Sequence, residues 1–386
     1  MTKWVTKKLG DLIIDSYAGG TPNRSRDDYY GGDIPWVSSG EVNNPEIIST
    51  IENITLAGLT NSSAKWIPAN SILVALYGAT AGQVSMLRIK ATSNQAVLAI
   101  IPNNEIIDTD FLYNQIKFNK QALLFLAQGS GQPNLSKNIV DRLEITYPES
   151  LAEQRRIAGI LSSADGAIAA SEALIAKYRN IKRGLLATLL QPKEGWKKVK
   201  LGEVIIDSYA GGTPNRSKDD YFDGDIPWVS SGEVNNPEIL STIENITLVG
   251  LNNSSAKWIP ANSILVALYG ATAGQVSMLR IKATSNQAVL AIIPNNEIID
   301  TDFLFYQIGF NKQALLFLAQ GSGQPNLSKN IVDKLEFYIP SDLAEQRRIA
   351  DILSSVDAKI AAEEKVVEKY KGVKKGLMEE MMGSGK

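Results

Sequence analysis

The sequence predicts an α+β protein. Two near-identical mixed α/β domains are separated by two long helices that pair as an antiparallel coiled coil, with pseudo-two-fold symmetry. Three observations carry this expectation. The chain repeats itself 192 positions later without insertion or deletion, so that Trp36 returns as Trp228, Tyr77 as Tyr269 and Gln132 as Gln324. Between Trp4–Leu151 and its copy only about 20 of roughly 148 positions differ, and Asn61–Leu112 is identical to Asn253–Leu304. Each copy opens with short apolar runs broken by glycine and proline and closes with about 40 residues of helical period. The expected division is a globular domain over 1–150, a helix over 151–191, a second domain over 192–342 and a second helix over 343–382.

Within one copy the elements follow from residue type. Val5–Asp15 reads as the opening segment and first strand, and Ile34–Val37 as a short strand. Ser71–Tyr77 is short, apolar and stopped by Gly78, which marks a buried strand. Val84–Arg88, Ala96–Ile101 and Leu143–Pro148 read as further strands. Over Thr109–Leu126 the apolar spacing changes to threes and fours, which predicts a helix capped by Asp108 or Thr109. Ser150-Leu151-Ala152-Glu153 is a capping-box pattern that opens the long helix, and the copy has Asp342-Leu343-Ala344-Glu345.

The long helices alternate steps of four and three along Ile157, Leu161, Ala164, Ile168, Ser171, Ile175 and Tyr178. The copy runs Ile349, Leu353, Val356, Ile360, Glu363, Val367 and Tyr370. Each helix would be roughly 60 Å long at about 1.5 Å per residue. The seam is imperfect, and packing of the two helices against each other is the expected use for it.

Composition narrows the chemistry. There is no cysteine, so disulfides, thiolate nucleophiles and cysteine zinc sites are excluded, which fits a reducing, cytoplasmic setting. There is no histidine, so the usual general base and the commonest metal ligand are missing. No run of eighteen apolar residues and no apolar leader is found, so neither a membrane span nor a signal peptide is expected. The net charge of −2 gives no global attraction to a polyanion, although local basic patches remain open. Phosphate-binding P-loop and dinucleotide-binding glycine signatures are absent, as is the Asn-Pro-Pro-aromatic segment of amino-methyltransferases.

The informative positions are polar, glycine-rich loops. Gly19–Arg26 carries Thr21, Asn23, Arg24 and Arg26; Ser38-Ser39-Gly40-Glu41 follows a strand. Tyr77–Gln83 presents Tyr77, Thr80 and Gln83, Ser93-Asn94-Gln95 adds amides, and Gln128–Lys137 holds Gln132, Asn134, Ser136 and Lys137. Arg, Asn, Gln, Ser and Thr are the side chains that read base edges, while Arg24, Arg26, Lys65 and Lys137 suit phosphates. The same residue types also simply make turns. The copies are Thr213, Asn215, Arg216, Lys218, Ser231, Tyr269, Thr272, Gln275, Gln324, Asn326 and Lys329. Trp36 and Trp66 sit beside apolar strand residues, so buried structural roles are expected for both.

Three groups of residues carry a family resemblance. They are Gly19-Gly20-Thr21-Pro22 with Gly32-Asp33-Ile34-Pro35-Trp36, Gln132-Pro133-Asn134-Leu135-Ser136, and Leu151-Ala152-Glu153-Gln154-Arg155-Arg156-Ile157-Ala158; each recurs 192 residues on. The chain resembles, over essentially its whole length, the specificity (S) subunit of Type I restriction-modification systems. The resemblance implies two target-recognition domains, each reading half of a split DNA target in the major groove, and spacer helices that dock two modification (M) subunits. It implies a non-catalytic chain that binds no cofactor, with S-adenosylmethionine on the M subunits and ATP with magnesium used by restriction (R) subunits. Recognition domains of one S subunit normally differ; here they nearly match, which predicts a gapped palindromic target. Alternatives left open are a combined methyltransferase-endonuclease system, a duplicated carbohydrate- or protein-binding scaffold, and an enzyme working through carboxylates such as Glu41 and Asp33.

Overall fold

The computed structural model describes residues 3–127, 134–319 and 326–383. The chain forms two compact units, Met1–Glu172 with Lys365–Lys386, and Ala173–Glu364. Both boundaries fall inside long helices, which run over Leu151–Leu189 and Leu343–Gly383. Each unit therefore holds one globular domain and parts of both helices.

In the first unit the strands are β1 (Trp4–Lys8), β2 (Ile13–Ala18), β3 (Tyr30–Val37), β4 (Glu46–Ile47), β5 (Glu52–Ile54), β6 (Ser71–Ala75), β7 (Val84–Leu87), β8 (Thr92–Ser93), β9 (Val97–Pro102) and β10 (Glu144–Pro148). The short helices are α1 (Leu56–Thr60), α2 (Thr109–Phe118), α3 (Lys120–Leu126) and α4 (Lys137–Asp141). A mixed five-stranded sheet runs β2-β9-β6-β7-β4, a three-stranded sheet runs β5-β3-β8, and β1 pairs with β10. The second domain repeats the same three sheets.

Strands β6 and β9 read as unbroken apolar runs because both of their faces are buried. Ile72, Val74, Leu98 and Ile100 face a core shared with Phe111, Leu112 and Ile116 of α2. Leu73, Ala75, Val97 and Ala99 face the opposite way, against Val37, Ile47 and Ile67. The predicted helix over Thr109–Leu126 is two helices. The two meet at Asn119, whose backbone opens to ψ 13° while its N (3.0 Å) and Nδ2 (2.9 Å) both donate to the Gln115 carbonyl. The cap is as expected, with Asp108 Oδ1 accepting from Phe111 N at 3.0 Å.

Trp36 is buried, 1 % exposed, and its Nε1 donates to the Gly20 carbonyl at 3.0 Å. Trp66 departs from the expectation of burial: it is 39 % exposed, because its neighbour Ile67, paired with Ala91, points into the core and the alternation along this extended segment turns Trp66 outward.

The long helices begin as core elements and then become a pair. Ile157 and Leu161 belong to the first domain's core, and Ile349 and Leu353 to the second's. Ile168, Ile175 and Val367 are buried, Tyr178 and Ile360 are half-buried, and Tyr370 is 39 % exposed. In the first unit Asp165 accepts from Lys374 (2.5 Å) and Glu172 from Lys371 (2.9 Å), so the two helix segments run antiparallel. In the second, Lys182 donates to Asp357 (2.6 Å) and Arg179 to Glu364 (2.7 Å), again antiparallel. The partners are exchanged between units: Asp165 and Asp357 are equivalent positions, and so are Lys374 and Lys182. Leu151–Leu189 contains a stretch long and apolar enough to cross a membrane by length and composition alone. Several of its apolar residues are used in protein packing: Ile157, Ala158 and Leu161 in the first core, Leu185, Leu186 and Leu189 at the second.

Candidate nucleic-acid interface

Backbone hydrogen bonds draw the polar loops of each domain into one surface. Gly20 N donates to the Ser93 carbonyl (2.8 Å), and Asn94 N to Val37 O (3.0 Å), which sets the Ser38–Gly40 loop beside Asn94. Leu76 N donates to Ala96 O and Leu135 N to Leu76 O, both at 2.8 Å, which brings Tyr77 beside Gln95 on one side and Asn134 on the other. Thr21 Oγ1 hydrogen-bonds Gln95 Oε1 and ties the first loop to this group. A Cβ on Gly19 would collide with the Ser93 backbone, and one on Gly20 with Ser63 and Ala64, so both positions need glycine for close approach.

The loops are held by their own side chains. Glu41 is buried; its Oε2 accepts from Ser38 N (2.8 Å) and Ser38 Oγ (2.9 Å), and its Oε1 from Ile51 N (2.9 Å). That satisfied carboxylate fixes the loop that carries Ser39, so its role is structural. Asn23 Oδ1 accepts from Ser25 N (3.0 Å) and Ser25 Oγ (2.7 Å), which closes a side-chain turn. Between Tyr77 and Gln83 the chain turns with Gly78 at φ 79° and Gly82 at φ 74°, and Gln83 N returns to Thr80 O (2.9 Å).

Among the predicted contact residues, Asn23, Tyr77 and Asn134 are exposed, and Thr21, Ser39, Thr80 and Gln83 are half-exposed. Their copies Asn215, Tyr269, Asn326, Thr213, Ser231, Thr272 and Gln275 have the same exposure classes. Gln132 and Gln324 lie outside the described residues.

The predicted cations are mostly committed internally. Arg24 forms a two-pronged pair with Glu52 (2.8 Å each) and lies over Tyr30 and Trp36, 4.5 and 4.9 Å from the ring centres. That hydrogen bond raises the Arg24 pKa further and lowers that of Glu52. Arg216 repeats the arrangement with Glu244. Arg26 is paired with Asp28 (2.8 Å), whereas no such pair involves Lys218 among the described residues. Lys137 donates to Ser16 Oγ (2.6 Å) and Asp141 (2.5 Å), and Lys329 to the Ser208 carbonyl (2.7 Å) and Asp333 (3.2 Å). Gln95, Glu52 and Glu41 were not among the predicted contacts. Only the fold places Glu52 beside Arg24, 28 positions away. Among the described residues no group of carboxylates could hold a metal ion.

Two α+β domains with one loop surface in duplicate define a tandem recognition protein. The family model described as the Type I restriction modification DNA specificity domain matches residues 1–177 and again 193–369, and the chain belongs to that family as a specificity subunit. It is 30 % identical over 217 residues to the EcoR124I/EcoR124II specificity subunit of Escherichia coli, covering 54 % of this chain and 53 % of that protein. It is 25 % identical over 400 residues to the MjaVIII specificity subunit of Methanocaldococcus jannaschii, covering 97 % and 91 %. The fold matches the S subunit of a Type I restriction-modification system from M. genitalium with a TM-score of 0.70 at 15 % identity, over 99 % of this chain and 96 % of that one. These relatives do not favour the scaffold or combined-enzyme alternatives.

Proposed function

We propose that this chain is the non-catalytic DNA-reading subunit of a Type I restriction-modification complex, and that its two domains read the same half-site in opposite orientation. The observation that carries the reading is the duplicated loop surface, in which Thr21, Ser39, Tyr77, Gln95 and Asn134 are gathered by one set of hydrogen bonds that the second copy repeats. Side chains of these types discriminate bases through donor and acceptor patterns. Identical readers on antiparallel helix segments with exchanged partners call for an inverted, gapped target.

The long helices are proposed to dock two methyltransferase subunits. Those subunits would bring S-adenosylmethionine, and restriction subunits would use ATP with magnesium. Without cysteine or histidine, this chain lacks the ordinary nucleophile-base pairs for such chemistry.

The test is to co-express the chain with its methyltransferase subunit and select bound duplexes from a random library. Enrichment of a gapped palindrome supports both parts. Two unlike halves would refute the symmetry, and absence of enrichment from an assembled complex would refute the DNA reading.

A further inference from the structure

Arg24, Arg26 and Lys137 were the obvious cations for phosphate, yet each is neutralised by a carboxylate of its own domain. Lys65, the fourth cation that the sequence offered for phosphate, is not, and neither is Lys90 at the edge of the same surface. Lys65 lies over the Tyr17 ring, its Nζ 5.5 Å from the centroid, and Lys90 lies over Trp66 at 4.5 Å. Both lysines are exposed, and among the described residues neither has an ion pair. The second copy repeats both stacks, Lys257 over Tyr209 at 5.5 Å and Lys282 over Trp258 at 4.4 Å.

The Tyr17 ring is tethered, and the two lysine-bearing segments are set side by side. Tyr17 Oη donates to the Trp66 carbonyl at 2.6 Å, and Ile67 N donates to Ala91 O at 2.7 Å, which sets the Lys65-Trp66 segment against Lys90. The nearest acid along the strand, Asp15, uses its Oδ1 to accept from Ser16 N at 2.7 Å. The patch is continuous with the recognition loops. Gly20 packs on Ser63 and Ala64, immediately before Lys65, and Gly19 packs on Ser93, three residues after Lys90. An ammonium resting on an aromatic face is attracted to it but keeps donors for another partner. Such groups suit a point-charge contact with a phosphate, which fixes register without reading sequence.

We propose that Lys65 and Lys90, held on the rings of Tyr17 and Trp66, each grip a DNA backbone phosphate beside the base-reading loops, and that Lys257 and Lys282 do the same in the second domain. This rests on the DNA-recognition reading above and adds to it the residues that set the position of the duplex.

The test compares the wild-type complex with the variant K65A/K90A/K257A/K282A on the selected duplex and on one with scrambled half-sites, over a series of salt concentrations. Each phosphate contact contributes about 0.9 to the slope of log K against log salt, so the quadruple variant should flatten that slope by about 3 to 4. Affinity should fall by a similar factor on both duplexes, leaving the preference for the selected site intact. The charge-preserving variant K65R/K90R/K257R/K282R should keep the wild-type slope, which separates loss of charge from loss of fold. An unchanged slope in the alanine variant overturns the proposal, as does a loss confined to the selected duplex. A wild-type complex that binds neither duplex fails the DNA reading itself and is thereby distinguished.

Discussion

Gln154 joins the first recognition domain to its long helix, and its replacement by leucine should cost more than most core substitutions. The side chain is fully buried. Its Oε1 accepts from Asp108 N at 2.7 Å, and its Nε2 donates to the carbonyls of Pro148 (2.8 Å) and Ile106 (3.2 Å). One amide thus ties the end of β10, the turn before α2 and the first turn of the helix together. Leucine fills nearly the same volume and removes the side-chain partner of three backbone groups at a fully buried position. Each orphaned group costs about 1–3 kcal/mol, so a total of about 3–5 kcal/mol is expected once some relaxation is allowed. That is a large share of the roughly 5–15 kcal/mol that holds a domain folded. Gln346 makes the same three bonds in the second copy, at 2.8, 2.9 and 3.2 Å, so Gln346→Leu should cost a similar amount and the double variant should be close to additive. Urea unfolding gives the energies, and hydrogen exchange at the Asp108 amide reports the local opening. A loss under about 1 kcal/mol for Gln154→Leu, with Asp108 still protected, would refute the account of this joint.

Three further outcomes are expected. Asp223 holds φ 59° where the first copy has Gly31 at φ 75°, so Asp223→Gly should stabilise the second unit by about 0.5–1 kcal/mol, read as a rise in its melting temperature. Tyr306 Oη donates to Asp357 Oδ2 at 2.8 Å while Lys182 bonds the same carboxylate, and burial, then Asp357, holds the phenol well above its ordinary pKa; Tyr306→Phe should cost about 1–2 kcal/mol in urea unfolding. The hydrogen bond from Arg24 holds Glu52 below the ordinary glutamate value of 4.5, as Arg216 does for Glu244. The pair's contribution is therefore present above that pH and is lost as pH falls through the lowered value, so the protection factors of amides in the Asn23–Tyr30 loop, taken relative to intrinsic exchange at each pH, should drop on acidification below about pH 4 and stay flat from pH 5 to 8.

Much of the fold was legible because each element used a local signal. Ser71–Ala75 is short and apolar since both faces of the strand are covered, and Asp108 caps α2 through its own side chain. The repeat itself fixes the duplication of the domain. The long helices were legible from their period, but not the split in their use: Ile157 and Leu161 carry the seam spacing and yet are core residues of the domain. The break at Asn119 was hidden because the apolar spacing continues through it and only the backbone angle at that one residue separates α2 from α3.

The sequence by itself determined that one surface is built twice, that each copy mixes short buried strands with a helix and ends in a long helix, and that the chain has no cysteine or histidine. It also determined which residue types the loops present. Only the tertiary structure decided which of those side chains are free to meet a partner. Whether Arg24 faces solvent or Glu52, whether Lys137 reaches outward or to Ser16, and whether Trp66 is buried or supports Lys90 depend on residues tens to over a hundred positions apart. Local pattern constrains the backbone within a few residues. Charge pairing and ring stacking between distant segments exist only once the sheets have brought those segments together.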